Sequence, residues 1–214
     1  MIGALRRVWA YALGLWAPFS SRSLDWALGL SAWAWVAHAA VTGQVRSIVG
    51  ATVVAVNALA GALFILRRPA SRKATLRESA ICLGSAASGA LALGVAPPPA
   101  LWPPLSAALY AIAGAGAAVS LGFLGRSFGV LPAWRGLVRS GPYRIVRHPV
   151  YAAELVMLAA CAWASRSLGG LGALGLGIAL VVVRIRIEER LLAQSEPYQA
   201  YAKLVRARLL PGLW

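Results

Sequence analysis

The residues of this 214-residue chain that could do chemistry crowd toward its C-terminus in three pieces. The first is Leu124-Gly125-Arg126-Ser127-Phe128-Gly129. The second is Gly141-Pro142-Tyr143-Arg144-Ile145-Val146-Arg147-His148-Pro149-Val150-Tyr151. The third is Glu188-Glu189-Arg190-Leu191-Leu192, followed by Tyr198, Tyr201 and a closing Leu210-Pro211-Gly212-Leu213-Trp214. In the middle piece Gly141-Pro142 signals a turn, and Pro149 at a first helical position, with His148 as its cap, starts a helix. The free N–H groups of that start, beside Arg144 and Arg147, suit a carboxylate or phosphate. Tyr143 and Tyr151 offer aromatic walls. Glu154, three residues after Tyr151, shares its helix face inside an apolar run, where an ionisable group is costly and therefore a functional candidate.

Each piece taken singly also has a purely structural reading. Arginines at a membrane boundary contact lipid phosphate, His148 can simply cap its helix, and Glu154 can pair with a neighbouring arginine. Glu188 and Glu189 follow Arg184 and Arg186 at i+4 and i+3, the spacing of an ion-paired helix end. Cys82 and Cys161 lie inside apolar stretches, and with His38 and His148 they are too few for a zinc site, so no metal is expected. His38 and Asn57 read as interhelical hydrogen-bonding groups.

The elements that must position these residues follow from composition. With 60% hydrophobic and 13% charged residues and a mean hydropathy of +0.71, a soluble globular enzyme, a disordered chain and a fibrous repeat are all excluded. A net charge of +15 would suggest nucleic acid in a soluble protein. Here the basic residues separate apolar blocks, so the partner is membrane lipid and not nucleic acid.

Apolar windows at 24–41, 48–66, 80–95, 105–124, 149–164 and 168–187 predict an all-α integral membrane helical bundle of about six transmembrane helices. An interfacial helix is expected over 8–19, after Arg6 and Arg7, and a cytoplasmic helical segment at the C-terminus. Pro97, Pro98, Pro99, Pro103 and Pro104 break the chain in an external turn. Nineteen of the 21 basic residues fall on one side of this arrangement, and only Arg46 and Arg166 on the other. The positive-inside rule then makes both termini cytoplasmic, in what is expected to be a bacterial cytoplasmic membrane. Small-residue stripes (Gly84, Ser88, Ala92; Gly114, Ala118, Gly122; Gly169, Ala173, Gly177) suit close helix packing. No internal repeat of the transporter kind is visible.

In combination, Gly-Pro-Tyr-Arg-x-x-Arg-His-Pro-x-Tyr, a helical hairpin, Glu-Glu-x-x-Leu, Pro-Tyr-x-x-Tyr and a terminal Leu-Pro-Gly-Leu-Trp closely resemble the isoprenylcysteine carboxyl methyltransferase family. More broadly they resemble the membrane methyltransferases that include phospholipid N-methyltransferases. The resemblance covers about 121–214 and divides the chain into a scaffold, 1–120, and a cofactor-binding region, 121–214. It implies S-adenosylmethionine as methyl donor, held by Tyr143, Arg147, His148, Pro149, Tyr151, Glu188 and Glu189 under a lid formed by the C-terminal segment. The donor's carboxylate suits Arg147 and the helix start, its ammonium a glutamate, its ribose a second carboxylate, and its adenine a tyrosine.

The implied acceptor is lipophilic: an isoprenylcysteine-like carboxylate, a lipid or another small molecule. If its nucleophile is a carboxylate, Arg126 or Arg144 would orient it; if it carries a proton, Glu154 is the candidate base. Ala153 stands where relatives often have glycine, so the acceptor is not to be copied from the prenylated-protein enzymes. Two other readings remain at this stage, an NADPH-dependent membrane reductase of the sterol-reductase type and a non-enzymatic membrane protein.

Overall fold

The computed structural model describes residues 21–68, 72–73, 75–212 and 214. The interfacial helix expected over 8–19 lies outside the described residues. Seven helices follow in order among the described residues: α1 (Ser21–Val41), α2 (Ile48–Leu66), α3 (Leu76–Val95), α4 (Pro104–Leu124), α5 (Pro149–Ser165), α6 (Leu168–Leu192) and α7 (Glu196–Leu204). The first six coincide with the six apolar windows, and α7 is the C-terminal helical segment.

Local chemistry sets the helix starts. Ser47 and Ser167 accept hydrogen bonds from Gly50 and Gly170 at the first turns of α2 and α6. Thr75 and Glu78 form a reciprocal capping box that begins α3 four residues before its apolar window. Proline occupies the first turn of α4 and α5, where its missing N–H costs nothing. In the proline-rich turn between α3 and α4, the Trp102 indole donates to the Pro97 carbonyl at 2.8 Å, and its ring meets Tyr110 edge-on at 5.5 Å.

Among the described residues four stretches, Ile48–Leu66, Arg77–Val95, Pro104–Ser127 and Leu168–Leu192, are long and apolar enough to cross a membrane. Helix α5 is apolar but has 17 residues, about 25 Å at roughly 1.5 Å per residue against a hydrocarbon core of about 30 Å. Helix α1 carries Asp25, Ser31 and His38 and falls outside the four. The outer surface is apolar, as lipid requires: Leu105, Ile112, Val119 and Phe123 on α4 and Leu171, Leu176, Ile178 and Val183 on α6 are all exposed. Small residues face inward instead, Ala113, Gly114 and Ala117 on α4 among them.

Some neighbours in space are distant in sequence. Helix α4 packs on both α2 and α5, α6 packs on both α5 and α3, and α1 covers α2. The small-residue stripes serve this packing only in part. Gly114 meets Thr52 of α2, and Gly177 meets Leu158 of α5, so a side chain at Gly114 would press on α2 and one at Gly177 would displace the end of Leu158, whereas Gly84 and Gly122 face open space.

The loops that carry the sequence motifs gather at one end of the bundle. There Asp25 of α1 pairs with Arg67, both buried, just past the end of α2. The Arg68 amide donates to the Arg126 carbonyl at 2.8 Å. Arg72–Lys73 and Ala133–Trp134 form a two-residue antiparallel ladder, with Arg72 opposite Trp134, that ties the α2–α3 connection to the α4–α5 connection.

Candidate active site

The α4–α5 connection reaches the motif through a single helical turn at Gly141–Arg144, entered at Gly141 with φ 58°, a conformation open to glycine without strain. The turn buries Tyr143, whose carbonyl accepts from the Tyr201 hydroxyl of α7 at 2.7 Å. The C-terminal tail then lies along the motif: the amides of Arg147 and His148 donate to the carbonyls of Ala207 and Arg208 at 3.0 and 2.9 Å. The amide of Arg208 donates in turn to the carbonyl of Trp214, and its guanidinium sits 5.1 Å over the Trp214 ring. His148 is the residue before α5 but makes no side-chain cap bond. Its ring is drawn to the glutamates instead.

Those glutamates have different surroundings. Around Glu189 gather Arg147 at 3.1 Å, His148 Nε2 at 3.3 Å, Arg208 Nε at 2.8 Å and the Tyr198 hydroxyl at 3.4 Å. It is a hub that fastens the tail and α7 to the motif, and it does not reach the cavity described next. Glu188 does reach it. It accepts from the Tyr151 hydroxyl and pairs with Arg184 Nε at 3.5 Å. Arg184 also donates to the Val130 carbonyl at 2.9 Å and lies 4.8 Å over the Tyr151 ring, and His148 stacks on the same ring at 5.5 Å.

One cavity of about 580 Å³ opens behind these groups, inside the roughly 300–1,000 Å³ range of small-molecule sites. Its polar end is formed by Arg135, Tyr143, Arg147, His148, Tyr151, Glu154, Arg184, Glu188, Tyr198 and Tyr201. Its other end is apolar and runs into the bundle past Val53, Val56 and Ala60 of α2, Ala86, Gly89 and Leu93 of α3, and Tyr110 and Ala117 of α4. Helices α2 and α3 both wall this apolar end, yet they are not a packed pair.

Burial keeps the tyrosines at the polar end protonated. It pushes Tyr201 up to about 12 and raises Tyr143 and Tyr198 further, helped by the charges of Glu188 and Glu189 respectively. Their hydroxyls are therefore hydrogen-bond donors throughout the ordinary pH range. Among the described residues no group of three or more His, Cys, Asp or Glu could hold a metal ion.

Residues 110–198 match the phospholipid methyltransferase family model. The matched segment runs from within α4 into α7, and so takes in the motif, both glutamates and all of the cavity's polar end but Tyr201. No curated protein and no solved structure matches the chain.

Within the matched segment the structure brings together Tyr143, Arg147, His148, Tyr151, Glu154 and Glu188. Pro149 is buried behind them as the helix starter, and Glu189 stands outside the cavity wall. Glu154 makes no hydrogen bond or ion pair among the described residues; its electrostatic neighbours are Arg184, Tyr151 and Glu188. Arg144 and Arg126 are not gathered in. Arg144 is exposed, and Arg126 is exposed and donates to the Leu66 carbonyl at 3.1 Å, beside a separate shallow depression shared with Arg68. In their place stand Arg184 and Arg135, 5% and 9% exposed. Sequence reasoning passed over Arg135 as one more basic loop residue. The signal was the apolar company it keeps in Phe128–Val138, which marks a loop folded into the bundle.

Proposed function

We propose that the protein is an integral membrane methyltransferase that moves a methyl group from S-adenosylmethionine to a lipophilic acceptor at the membrane boundary. The observation that carries this reading is the single cavity with a polar end built from the motif, α6 and α7 and an apolar end walled by α2, α3 and α4. A charged, water-soluble donor suits the first and a lipid-like acceptor the second.

The donor set fits the cosubstrate. Glu188 would hold a donor ammonium or ribose hydroxyl, with Arg184 and Tyr151 fixing its carboxylate in one orientation. Tyr143, Tyr198 and Tyr201 provide an aromatic surface for a purine. The motif start, with Arg147 at the cavity wall, suits a carboxylate. When bound, S-adenosylmethionine supplies an already activated electrophilic methyl group.

The chain's own residues then have limited tasks: to bind, to align and to keep water out. The tail that strands along Arg147 and His148 closes the polar end. Glu154, on the cavity wall, would take a proton from an amine, hydroxyl or thiol acceptor, and its freedom from ion pairs among the described residues leaves its oxygens available. The basic end of the bundle is proposed to face the cytoplasm, where the donor is made.

The experiment is donor binding and transfer with the purified full chain in detergent. S-adenosylhomocysteine should raise the unfolding temperature saturably, and labelled methyl should pass from S-adenosylmethionine into a total lipid extract. Stabilisation by NADPH and not by S-adenosylhomocysteine would overturn the proposal in favour of a reductase.

A further inference from the structure

Three arginines line the cavity, and two of them have a carboxylate at ion-pair distance: Arg147 on Glu189 and Arg184 on Glu188. Arg135 has none among the described residues. It is only 9% exposed, its Nε is fully buried without a hydrogen-bond partner, and its Nη1 reaches just the Leu131 carbonyl at 3.4 Å. Its guanidinium crowds Gly129 together with that of Arg67, a second buried cation whose own partner is Asp25. The electrostatic neighbour of Arg135 is Glu188, which lies beyond ion-pair distance and is held by Arg184 and Tyr151. A buried charge without a counter-ion in contact is costly to keep, so the cavity holds a guanidinium prepared for a contacting anion that the protein does not supply.

We propose that Arg135 receives an anionic group, phosphate or carboxylate, carried by the lipophilic acceptor. This rests on the methyltransferase reading above and narrows its acceptor to an anionic amphiphile. The position of Arg135 selects the acceptor over the donor. Tyr151, Arg184, Glu188, Tyr198 and Tyr201 of the donor set come from α5, α6 and α7, and Tyr143 and Arg147 from the last turns before α5, whereas Arg135 stands earlier on the α4–α5 connection, beside Arg67 at the end of α2, and α2 walls the apolar end. An alkyl chain lying between α2 and α3 would bring a polar head of the same molecule to Arg135.

The test compares dodecyl phosphate with dodecanol, one chain with and without the anion, against the purified full chain in maltoside detergent. Binding of S-adenosylhomocysteine is measured alongside. Dodecyl phosphate should bind at least about tenfold more tightly than dodecanol, and Arg135→Gln should remove that preference while leaving S-adenosylhomocysteine binding within about twofold. Arg135→Lys should restore part of it. Equal binding of the two amphiphiles to the native chain overturns the proposal, and this arm stands even if Arg135→Gln does not fold. A loss of S-adenosylhomocysteine binding in Arg135→Gln as large as the loss of dodecyl phosphate binding also overturns it, by giving the guanidinium to the donor's carboxylate. Arg135-dependent binding of dodecyl phosphate by a chain that ignores S-adenosylhomocysteine supports the anion site and defeats only the methyl-donor reading.

Discussion

His148, on the turn before α5, and Glu189, near the end of α6, are 41 positions apart in sequence and stand 3.3 Å apart at Nε2 and Oε1. Between them they close the polar end of the molecule. The histidine belongs to the motif and the glutamate collects the tail, so the contact joins the two halves of the site. Its neighbour Glu188, one residue earlier on the same helix, is turned into the cavity. About 100° of rotation between adjacent helical residues is enough to give two consecutive glutamates different tasks.

Glu189→Gln should therefore act on architecture first. Removing one partner of a buried ion pair costs about 3–5 kcal/mol, and the amide retains enough hydrogen bonding to place this variant near the lower figure. The unfolding temperature should fall, and amide exchange at Arg147 and His148, which are bonded to the tail carbonyls, should accelerate. Unchanged exchange at those two amides would show that the hub does not hold the tail.

Tyr151→Phe and Glu188→Gln should act on binding. The hydroxyl of Tyr151 and the guanidinium of Arg184 hold the Glu188 carboxylate, and a hydrogen bond to a charged group is worth about 1.5–3 kcal/mol. S-adenosylhomocysteine affinity should drop roughly tenfold or more in each, with tail exchange near that of the native chain. Isothermal titration in detergent reads the first quantity and hydrogen-exchange mass spectrometry the second.

Arg126→Ala and Arg144→Ala should be mild. Both side chains are exposed and neither reaches the cavity, and surface substitutions of this kind usually stay within about 0.5 kcal/mol. Donor affinity and transfer rate should each remain within about twofold. A loss of tenfold in transfer at unchanged donor affinity would return these arginines to the acceptor.

Gly89→Leu should separate acceptor from donor. Gly89 is on the apolar wall with nothing within 4 Å of where a side chain would begin, so leucine can be accommodated by the fold and fills space that the proposed function gives to an acceptor. Methyl transfer to lipid should fall at least about tenfold while S-adenosylhomocysteine binding holds. Equal transfer rates in the two proteins would place the acceptor elsewhere.

The alkaline limb of stability carries a signature of Tyr201. Its phenol ordinarily ionises near 10, and burial raises it to about 12 in the folded chain. Below pH 10 both folded and unfolded states hold the neutral form and the stabilising contribution is complete; as pH climbs toward 12 the unfolded state ionises first and the contribution disappears. The difference in unfolding temperature between the native chain and Tyr201→Phe should be constant up to pH 10 and shrink beyond it. Shrinkage beginning near neutrality would contradict the burial of this hydroxyl.

Much of this was legible in the sequence because lipid imposes simple rules. Long apolar runs can only be helices there, so α1 to α6 fall on the six windows, and Pro149 and the prolines before α4 mark their boundaries. The motif residues Tyr143, Arg147, His148 and Tyr151 do converge. What the sequence left open was rotation and depth. Whether Glu188 or Glu189 faces the cavity depends on how α6 packs against α5, which spacing along one helix does not determine. The same holds for the arginines: Arg126 and Arg135 have similar loop settings on paper, and only the folding of Phe128–Val138 into the bundle separates an exposed guanidinium from a buried one. The small-residue stripes misled for a related reason, since Gly84 and Gly122 have the spacing of contact positions but no helix opposite them.

Helix α3 contributes Ala86, Gly89, Ala90 and Leu93 to the apolar wall and nothing to the polar end. Under the proposed function, preference among greasy molecules would thereby be detached from the transfer machinery. Rebuilding four positions on one peripheral helix offers a route to retuning which molecule is modified, with every group that handles the methyl left as it is.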